Sequence, residues 1–331
     1  MASETPFEYE LWRPPVLDHA FRDLVELLAH KGDPWIGDIR RRLAGAMEGA
    51  QDYYFVARYQ DQLVGHVWYT TLAGTPELGL IGHVYTVPPF RRRGISARLV
   101  EMALDDFRQR GGRAMQLFTS TPYTLDFYGR FEFENLYQNQ AYHATDWYMC
   151  SPSGAYEELQ RAVAGTRGVV KPLSAGALPQ FCLLYNIERR TRLKNRAQKI
   201  GLGLEAELAF IHSWQEVDSG RTICHCTGDD HFLTGVAAIS RLEFPHQAHI
   251  GMFDLYVEPN NVWHADELAE ACLAARDTLG IETLYAMAVD PDKERMLQHL
   301  GFRAETTLPR HFRVAAQYYD VQVYRFAGTD Q

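Results

Sequence analysis

The first half of the chain contains a strand that turns into a helix, and residues 87–99 there read VPPFRRRGISARL. Two prolines end the apolar run that reaches Val87, and residues 96–110 then carry apolar side chains at helical spacing. The first amides of a helix have no partner within it, and the helix dipole adds positive potential at that end. Because Gly94 and its small neighbours would let a ligand reach these amides, the turn predicts a diphosphate site.

Three consecutive arginines precede Gly94 and would add positive charge beside such a ligand: Arg91, Arg92 and Arg93. A surface arginine triplet is also an ordinary solvated group, so this charge does not define a site by itself. The prediction therefore depends on the strand, the turn and the helix together.

The flanking sequence predicts a mixed sheet with helices packed against it. Alternating apolar runs predict strands, and apolar residues at 3.6-residue spacing predict helices. Strands are predicted at 7–12, 53–58, 63–71, 78–87, 115–119 and 141–149, and helices at 17–30, 35–47, 96–110 and 124–130. The order of these segments is typical of an α/β (α+β) domain.

The second half repeats this plan at a nearly constant distance along the chain. Val257 follows Val87 by 170 residues, and Gly280 follows Gly111 by 169. Strands are predicted at 222–227, 236–241, 249–257 and 283–289, with a helix at 265–279. Such an offset predicts a duplicated domain. The stretch 151–154 (SPSG) is the predicted boundary, which gives domains at residues 1–150 and 151–331.

The turn also resembles the signature of a known family. The GNAT acyltransferase superfamily has Arg or Gln, two residues, Gly, one residue, then Gly or Ala, and this chain has Arg91, Gly94 and Ser96. Serine departs from the pattern in the third place, where it changes the available hydrogen bonds but still admits a phosphate. The resemblance implies two tandem GNAT-like domains, each with a mixed, mostly antiparallel central sheet flanked by helices.

The resemblance further implies acetyl-CoA, or another acyl-CoA, as the co-substrate. Its pantetheine arm would pair with the main chain at the end of the strand that precedes the turn. The residues implied for the CoA site are Tyr85, Thr86, Val87, Arg91, Arg92, Arg93, Gly94, Ile95, Ser96, Ala97 and Thr121. Thr121 stands where the family often has asparagine.

A second landmark is the segment FYGRFEF at 127–133, which resembles the family's aromatic-Tyr-x-x-x-Gly-Phe pattern with Glu132 in place of glycine. The resemblance implies that Tyr128 protonates the departing CoA thiolate as a general acid. A phenol, with an ordinary pKa of about 10, is close to a thiol in acidity, so the transfer is energetically reasonable. Tyr128 can also be read as one of 18 tyrosines, packing a helix.

The acceptor amine must lose a proton, and His83 is the leading candidate for its base. It lies four residues before Val87 on the predicted strand, where some members of the family carry a histidine in a base relay. Imidazole titrates near neutral pH, which suits this task. A hydrogen-bonded histidine on a half-buried strand explains the residue equally well. Glu77 and Glu101 are weaker candidates.

The second repeat lacks both landmarks. Residues 260–266 read NNVWHAD, with neither glycine nor arginine, and Leu297 stands in the place of the tyrosine. Glu258, Asp266 and Glu267 would repel a diphosphate. We therefore expect one CoA site in the chain and a structural or substrate-shaping second domain.

Composition and charge limit which partners, metals and cellular locations are expected for the protein. The chain has 331 residues and a net charge of −9, so nucleic-acid binding has little electrostatic support. Apolar runs are too short for a membrane span, residues 1–8 lack the apolar core of a secretory signal, and we expect a cytoplasmic location. Five scattered cysteines predict reduced thiols, and Cys224-His225-Cys226 is spaced too tightly for the usual zinc pairs, so no metal is expected.

These observations predict an N-acyltransferase that moves an acyl group from acetyl-CoA, or another acyl-CoA, to the amine of a small molecule. Direct attack on the thioester needs no metal. Protein lysine is an alternative acceptor. A CoA-binding module or sensor without catalysis is an alternative from another class, favoured by the departures at Ser96, Thr121 and Glu132. The acceptor, and whether the chain forms a homodimer, stay open.

Overall fold

The computed structural model describes residues 7–140, 145–187, 206–314 and 317–328. The strands in these ranges are β1 Glu8–Trp12, β2 Ala50–Tyr59, β3 Gln62–Leu72, β4 Thr75–Thr86, β5 Ala114–Thr119, β6 Glu134–Gln140, β7 Thr145–Ser151, β8 Val169–Pro172, β9 Thr222–Gly228, β10 Leu233–Arg241, β11 Ile250–Val257, β12 Thr283–Ala288, β13 Phe302–Val314 and β14 Gln317–Phe326. The helices are α1 Asp18–Leu27, α2 Trp35–Leu43, α3 Ile95–Gln109, α4 Thr124–Gly129, α5 Ala155–Gly165, α6 Leu178–Ile187, α7 Ala206–Asp218, α8 Ala265–Ala274 and α9 Pro291–His299. Short 3-10 turns at Pro88–Phe90 and Pro259–His264 precede α3 and α8.

The strands form two seven-stranded sheets with the same order. The first runs β1-β2-β3-β4-β5-β7-β6, and the second, taken in the same direction, runs β8-β9-β10-β11-β12-β14-β13. In each sheet the central pair is parallel, β4 with β5 and β11 with β12. The pairs around them are antiparallel, as between β2 and β3 or β10 and β11. The predicted fold class is confirmed, and the identical orders are consistent with two tandem GNAT-like domains.

Alternation along β2 and β3 gives the first sheet two buried faces that differ in composition. Tyr53, Phe55 and Tyr69 pack with α3 in the core. Tyr54 and Trp68 lie opposite each other on the two strands and project from the other face, because successive side chains of a strand alternate. The two faces therefore offer different chemistry, and the catalytic candidates divide between them.

A glycine sets the distance between α3 and the sheet. A Cβ added at Gly65 of β3 would lie 2.7 Å from the Cγ2 atom of Ile95, the first residue of α3. Any side chain at this position would push the start of the helix away from the strand. Gly65 therefore fixes where the first amides of α3 lie.

The chain divides into two compact units, each continuous in space but not in sequence. The first comprises Met1–Leu136, Tyr148–Tyr156 and Ser174–Pro179, and the second comprises the remaining segments, Tyr137–Trp147, Glu157–Leu173 and Gln180–Gln331. Among the described segments, no helix combines the length and the apolar character that crossing a bilayer requires.

Several elements differ from the predictions, and the helices α6, α7 and α9 and the strands β13 and β14 were not predicted at all. Strand β6 was not predicted, because its sequence ENLYQNQ has no apolar alternation. The helix predicted at 265–279 ends at Ala274 and continues as a 3-10 turn, where the Thr278 hydroxyl donates to the Ala275 carbonyl at 2.7 Å. The strand predicted at 141–149 is β7, and residues 141–144 lie outside the described ranges.

Candidate active site

The turn before α3 presents backbone donors to open space. Gly94 precedes the helix with φ of 80°, no side chain caps the helix, and its first turn contains no acidic residue. The first bond along the helix runs from the Arg98 amide to the Gly94 carbonyl at 3.0 Å. The amides of Ile95, Ser96 and Ala97 precede it and have no acceptor within the helix. A Cβ added at Gly94 would meet no atom within 4 Å, so there is open space beside the residue that precedes these amides.

The arginines place positive charge around this turn. All three are exposed. Arg91 Nε donates to the Thr86 carbonyl at 3.0 Å, and its guanidinium lies 5.9 Å from the ring centroid of Tyr85. The guanidinium of Arg93 lies 5.5 Å from the ring of Phe90. Together with the helix dipole, these charges favour an anion at the turn.

Ser96, which departs from the family pattern, joins the helix to the end of β4. Its hydroxyl lies 2.6 Å from the Thr86 hydroxyl, close enough for a hydrogen bond in either direction. This contact engages the serine side chain within the protein. The Ser96 amide is left to serve a ligand.

Strands β4 and β5 separate beside the turn. They pair from Leu78 to Leu80 with Ala114 to Gln116, and β4 then continues to Thr86 without a further registered partner on β5. The gap leaves one edge of β4 available, which is the edge that a pantetheine arm would need.

Not every predicted main-chain donor faces this gap. The Val87 amide donates to the Val64 carbonyl at 3.0 Å, so it points toward β3. In an antiparallel pair the direction alternates, so Tyr85 also faces β3, whereas Val84 and Thr86 face the gap. Val84 is absent from the predicted set, because the alternation can be read only once one hydrogen bond is known.

His83 lies in a bulge of β4. Tyr85 pairs with His66 and Gly82 pairs with Trp68, so His83 and Val84 together oppose one residue of β3. His83 has φ of 55°, in the left-handed region.

The ring of His83 is held between two tryptophans. The ring centroid of Trp68 lies 5.0 Å away in a stacked arrangement, and that of Trp35, on α2, lies 5.5 Å away edge-on. His83 is 7% exposed. Its environment is therefore aromatic and nearly dry, on the face of the sheet opposite α3.

The surroundings of His83 keep its imidazole neutral. Burial lowers its pKa well below the usual value, and electrostatic interactions with Lys31, His66, Arg42 and His30 lower it further. His83 Nε2 is buried and has no hydrogen-bond partner among the described residues. A neutral ring with an uncommitted nitrogen has the protonation state that a general base requires.

His66, a residue that the sequence did not single out, supports the bulge. Its Nδ1 atom lies 3.1 Å from the His83 carbonyl, and burial lowers the pKa of His66 to about 3. The ring is therefore neutral, and because a carbonyl can only accept, Nδ1 carries the proton. No local motif marks His66, because its role depends on strand pairing.

A buried ionic network lies behind Trp68. Arg42 Nε donates to Asp38 at 2.6 Å and its Nη1 donates to Asp52 at 3.0 Å. Asp52 also accepts the Trp68 indole N–H at 2.8 Å. The network fixes the tryptophan that stacks on His83, and none of its members was predicted as a site residue.

Tyr128 lies on the other face of the sheet, within the core that α3 covers. Its ring contacts Phe127 and Phe133 with centroid separations of 5.0 and 5.8 Å. Burial raises the pKa of Tyr128, so the phenol keeps its proton. The predicted acid and base therefore lie on opposite faces of the sheet in which β4 and β5 separate.

Thr121 belongs to the loop between β5 and α4. Its amide donates to the Thr119 hydroxyl at 3.4 Å, and its carbonyl accepts the Thr124 hydroxyl at 2.5 Å. The weaker base candidate Glu101 forms a surface ion pair with Arg98 at 3.5 Å.

The five cysteines are all buried thiols: Cys150, Cys182, Cys224, Cys226 and Cys272. Burial raises the pKa of the Cys226 thiol to about 11. Within the parts of the chain that the structure describes, no group of three or more His, Cys, Asp or Glu side chains is arranged to hold a metal ion.

Comparison with known proteins finds a family match within the first half of the chain. A sequence profile described as the Acetyltransferase (GNAT) family matches residues 16–133. No curated protein sequence matches the chain significantly. One similar solved structure is the ribosomal-protein-alanine N-acetyltransferase of Brucella melitensis, with 15% identity, 47% of this chain and 98% of that chain covered, and a TM-score of 0.39.

Two similar structures were solved with acetyl-CoA or coenzyme A bound. A Salmonella typhimurium protein solved with its cofactor acetyl-CoA has 12% identity, with 48% of this chain and 92% of that chain covered and a TM-score of 0.40. An aminoglycoside 6'-N-acetyltransferase complexed with coenzyme A has 16% identity, with 44% and 96% covered and a TM-score of 0.37.

The matched residues include the whole arrangement described above, from α1 through the gap and turn to Tyr128. Residues 16–133 form a domain of the acetyltransferase (GNAT) family.

Proposed function

We propose that the first domain transfers an acyl group from acetyl-CoA, or another acyl-CoA, to the amine of a small molecule. The observation that carries the proposal is the open edge of β4 beside the unpaired amides of α3. The amides of Val84 and Thr86 would receive the pantetheine arm, and the turn from Arg91 to Ala97 would receive the diphosphate.

In this proposal the gap between the strands places the thioester between two titratable side chains. The acceptor nitrogen attacks the carbonyl carbon, the C–N bond forms and the C–S bond breaks. His83 takes the proton that the amine loses, and Tyr128 gives its proton to the thiolate. The neutral ring of His83 and the protonated phenol of Tyr128 are the states that these two transfers need.

The test is direct. Purified full-length protein is incubated with acetyl-CoA and a panel of small amines, and the release of free CoA is followed. A lysine-containing peptide in the same panel tests the alternative acceptor. The proposal expects CoA release with at least one small amine. It is abandoned if the protein neither releases nor binds CoA.

A CoA sensor without catalysis is the second candidate, favoured by the Ser96 hydroxyl being engaged with Thr86. His83→Ala and Tyr128→Phe separate the two functions. An enzyme loses turnover in both variants and keeps its affinity for CoA, whereas a sensor has no turnover to lose.

We further propose that the chain divides functionally between residues 150 and 151, with a second domain at 151–331 that is structural or substrate-shaping and does not bind CoA. The Glu258 carboxylate and the acidic first turn of α8 would oppose a diphosphate. The five buried thiols support the proposed location in the reducing cytoplasm.

A further inference from the structure

The second sheet contains a gap like that of the first. Strands β11 and β12 pair from Ile250 to Met252 with Thr283 to Tyr285, and β11 then continues to Val257. The edge of β11 beyond Met252 is therefore without a registered partner on β12. In the first sheet, the corresponding edge is the one that the CoA proposal uses.

A buried ion pair fills this second gap. Lys293 Nζ donates to Asp254 Oδ1, and the two side chains are 5% and 0% exposed. The same oxygen accepts the Leu255 amide at 2.8 Å. Because the Glu258 amide donates to Thr234 of β10, alternation turns the Leu255 amide away from β10 and toward β12. The ammonium therefore lies at the buried edge of β11 that does not pair with β12.

Lys293 belongs to helix α9, which is anchored at its start and in the core. Lys293 lies in the first turn of α9, where its amide donates to the side chain of Asp290 at 2.9 Å. Leu297, one turn later, is buried in the core of the second sheet. Lys293 is thus held at its backbone by the capped helix and at its ammonium group by Asp254.

Asp254 has the same place in its strand as the proposed base has in the first repeat. It lies five residues before Pro259, just as His83 lies five residues before Pro88. The first repeat has the neutral imidazole of His83 at this place, and the second has the carboxylate of Asp254, which forms an ion pair with Lys293.

The turn before α8 also contains an internal charge. The Glu258 side chain, 3% exposed for the whole residue, accepts the Asn260 amide at 3.0 Å and the Asn260 Nδ2 atom at 2.8 Å. It also accepts the Asn261 Nδ2 atom at 2.8 Å. The donors of this turn are therefore occupied by a carboxylate of the protein.

We propose that the second repeat contains a built ammonium-binding site, formed by Asp254 and the edge of β11 that does not pair with β12, which the chain fills with its own Lys293. With Glu258 in the turn, the protein supplies internal groups of both charges, an ammonium beside β11 and a carboxylate at the start of α8. Once Lys293 is shortened, the site takes a small primary ammonium ion from solution. The inference concerns the second repeat alone and does not depend on the activity proposed for the first.

The test is chemical rescue of Lys293→Ala in the full-length protein. Because the substitution leaves a buried carboxylate without this cation, its Tm should fall by about 10 °C. The n-propylammonium and n-butylammonium ions should restore about half of the loss, since a ligand that binds only the folded state stabilises it. Tetramethylammonium at the same ionic strength, which has no N–H to donate, should restore none, and the wild-type Tm should respond to none of the three.

The inference is overturned if Lys293→Ala is as stable as the wild type, or if tetramethylammonium rescues it equally well. Should this variant fail to fold, a second pair decides. Lys293→Met keeps the length of the side chain without its charge, and adding Asp254→Asn removes the charge left behind. The double variant is expected to recover most of the Tm lost in Lys293→Met, and a double variant no more stable than the single one contradicts the proposal.

Discussion

The Nδ1 atom of His66 lies 3.1 Å from the carbonyl oxygen of His83. This bond joins β3 to the bulge of β4 at the residue whose φ is 55°. A bulge takes part of a strand out of the regular ladder of backbone hydrogen bonds. The hydrogen bond from the His66 side chain to the His83 carbonyl therefore helps to fix the backbone of the bulge. We expect His66 to position His83 without itself touching a substrate.

Removing the donor of His66 should therefore lower turnover and spare CoA binding. In His66→Leu, we expect kcat to fall by about 10- to 100-fold, the scale on which small misplacements of a catalytic group act. The KM for acetyl-CoA should stay close to that of the wild type, because the turn before α3 is untouched. His66→Asn, whose amide can donate from nearly the same place, is the matched control and should keep most of the activity. Equal losses in both variants would show that only packing matters at this position.

Acid should destabilise the protein through the same residue. The pKa of His66 is about 3 in the folded state, against an ordinary value of about 6.5. Between these values the unfolded chain binds the extra proton, so stability is full above pH 6.5 and falls as the pH drops toward 3, by about 1.4 kcal/mol per pH unit. The free energy of unfolding is measured with urea at a series of pH values and plotted against pH. In the range from about pH 3 to 6.5, the slope for His66→Asn should correspond to nearly one proton fewer than the slope for the wild type. Parallel curves for the two proteins would contradict the assignment.

Tyr128→Phe should separate catalysis from folding. The phenol makes no side-chain hydrogen bond within the described residues, so its removal should change the Tm little. Loss of a general acid typically costs about 100-fold or more in rate, and we expect such a drop in kcat with an unchanged Kd for CoA. The measurements are steady-state kinetics and calorimetric titration with CoA. A variant with full activity would remove Tyr128 from the mechanism.

Charge at position 94 should control affinity for the carrier. Asparagine and aspartate both tolerate the left-handed backbone of Gly94, so Gly94→Asn and Gly94→Asp form a matched pair. Only the aspartate brings a negative charge to the amides of α3, and we expect it to weaken CoA binding about 10-fold relative to asparagine. The difference should shrink at high salt. If both variants bind CoA alike, the diphosphate does not lie at this turn.

The sequence was most informative where the chemistry is local. The alternation in β2 and β3, the prolines after β4 and the apolar face of α3 each depend on neighbours in the chain, and their elements were predicted within a few residues. The turn at Gly94 was recognisable for the same reason, since its open amides follow from the start of a helix.

The parts that could not be predicted depend on pairing between distant segments. Whether Val84 or Val87 faces the gap is decided by one hydrogen bond to Val64. His66 and His83 are 17 residues apart, and only the register of β3 on β4 makes them partners. Polar strand β6 has no alternation of its own, so nothing short of the assembled sheet identifies it.

The absence of a side chain at position 65 has a consequence for how a carrier would be held. Because Ile95 rests directly on β3 there, the diphosphate donors and the strand edge stand at a set separation before anything binds. A two-part ligand of matching length then loses little free energy to ordering the protein, which favours tight binding from a small contact area. Gly65 therefore sets the distance between the strand edge and the diphosphate donors, and a single added methyl group at this position would change that distance.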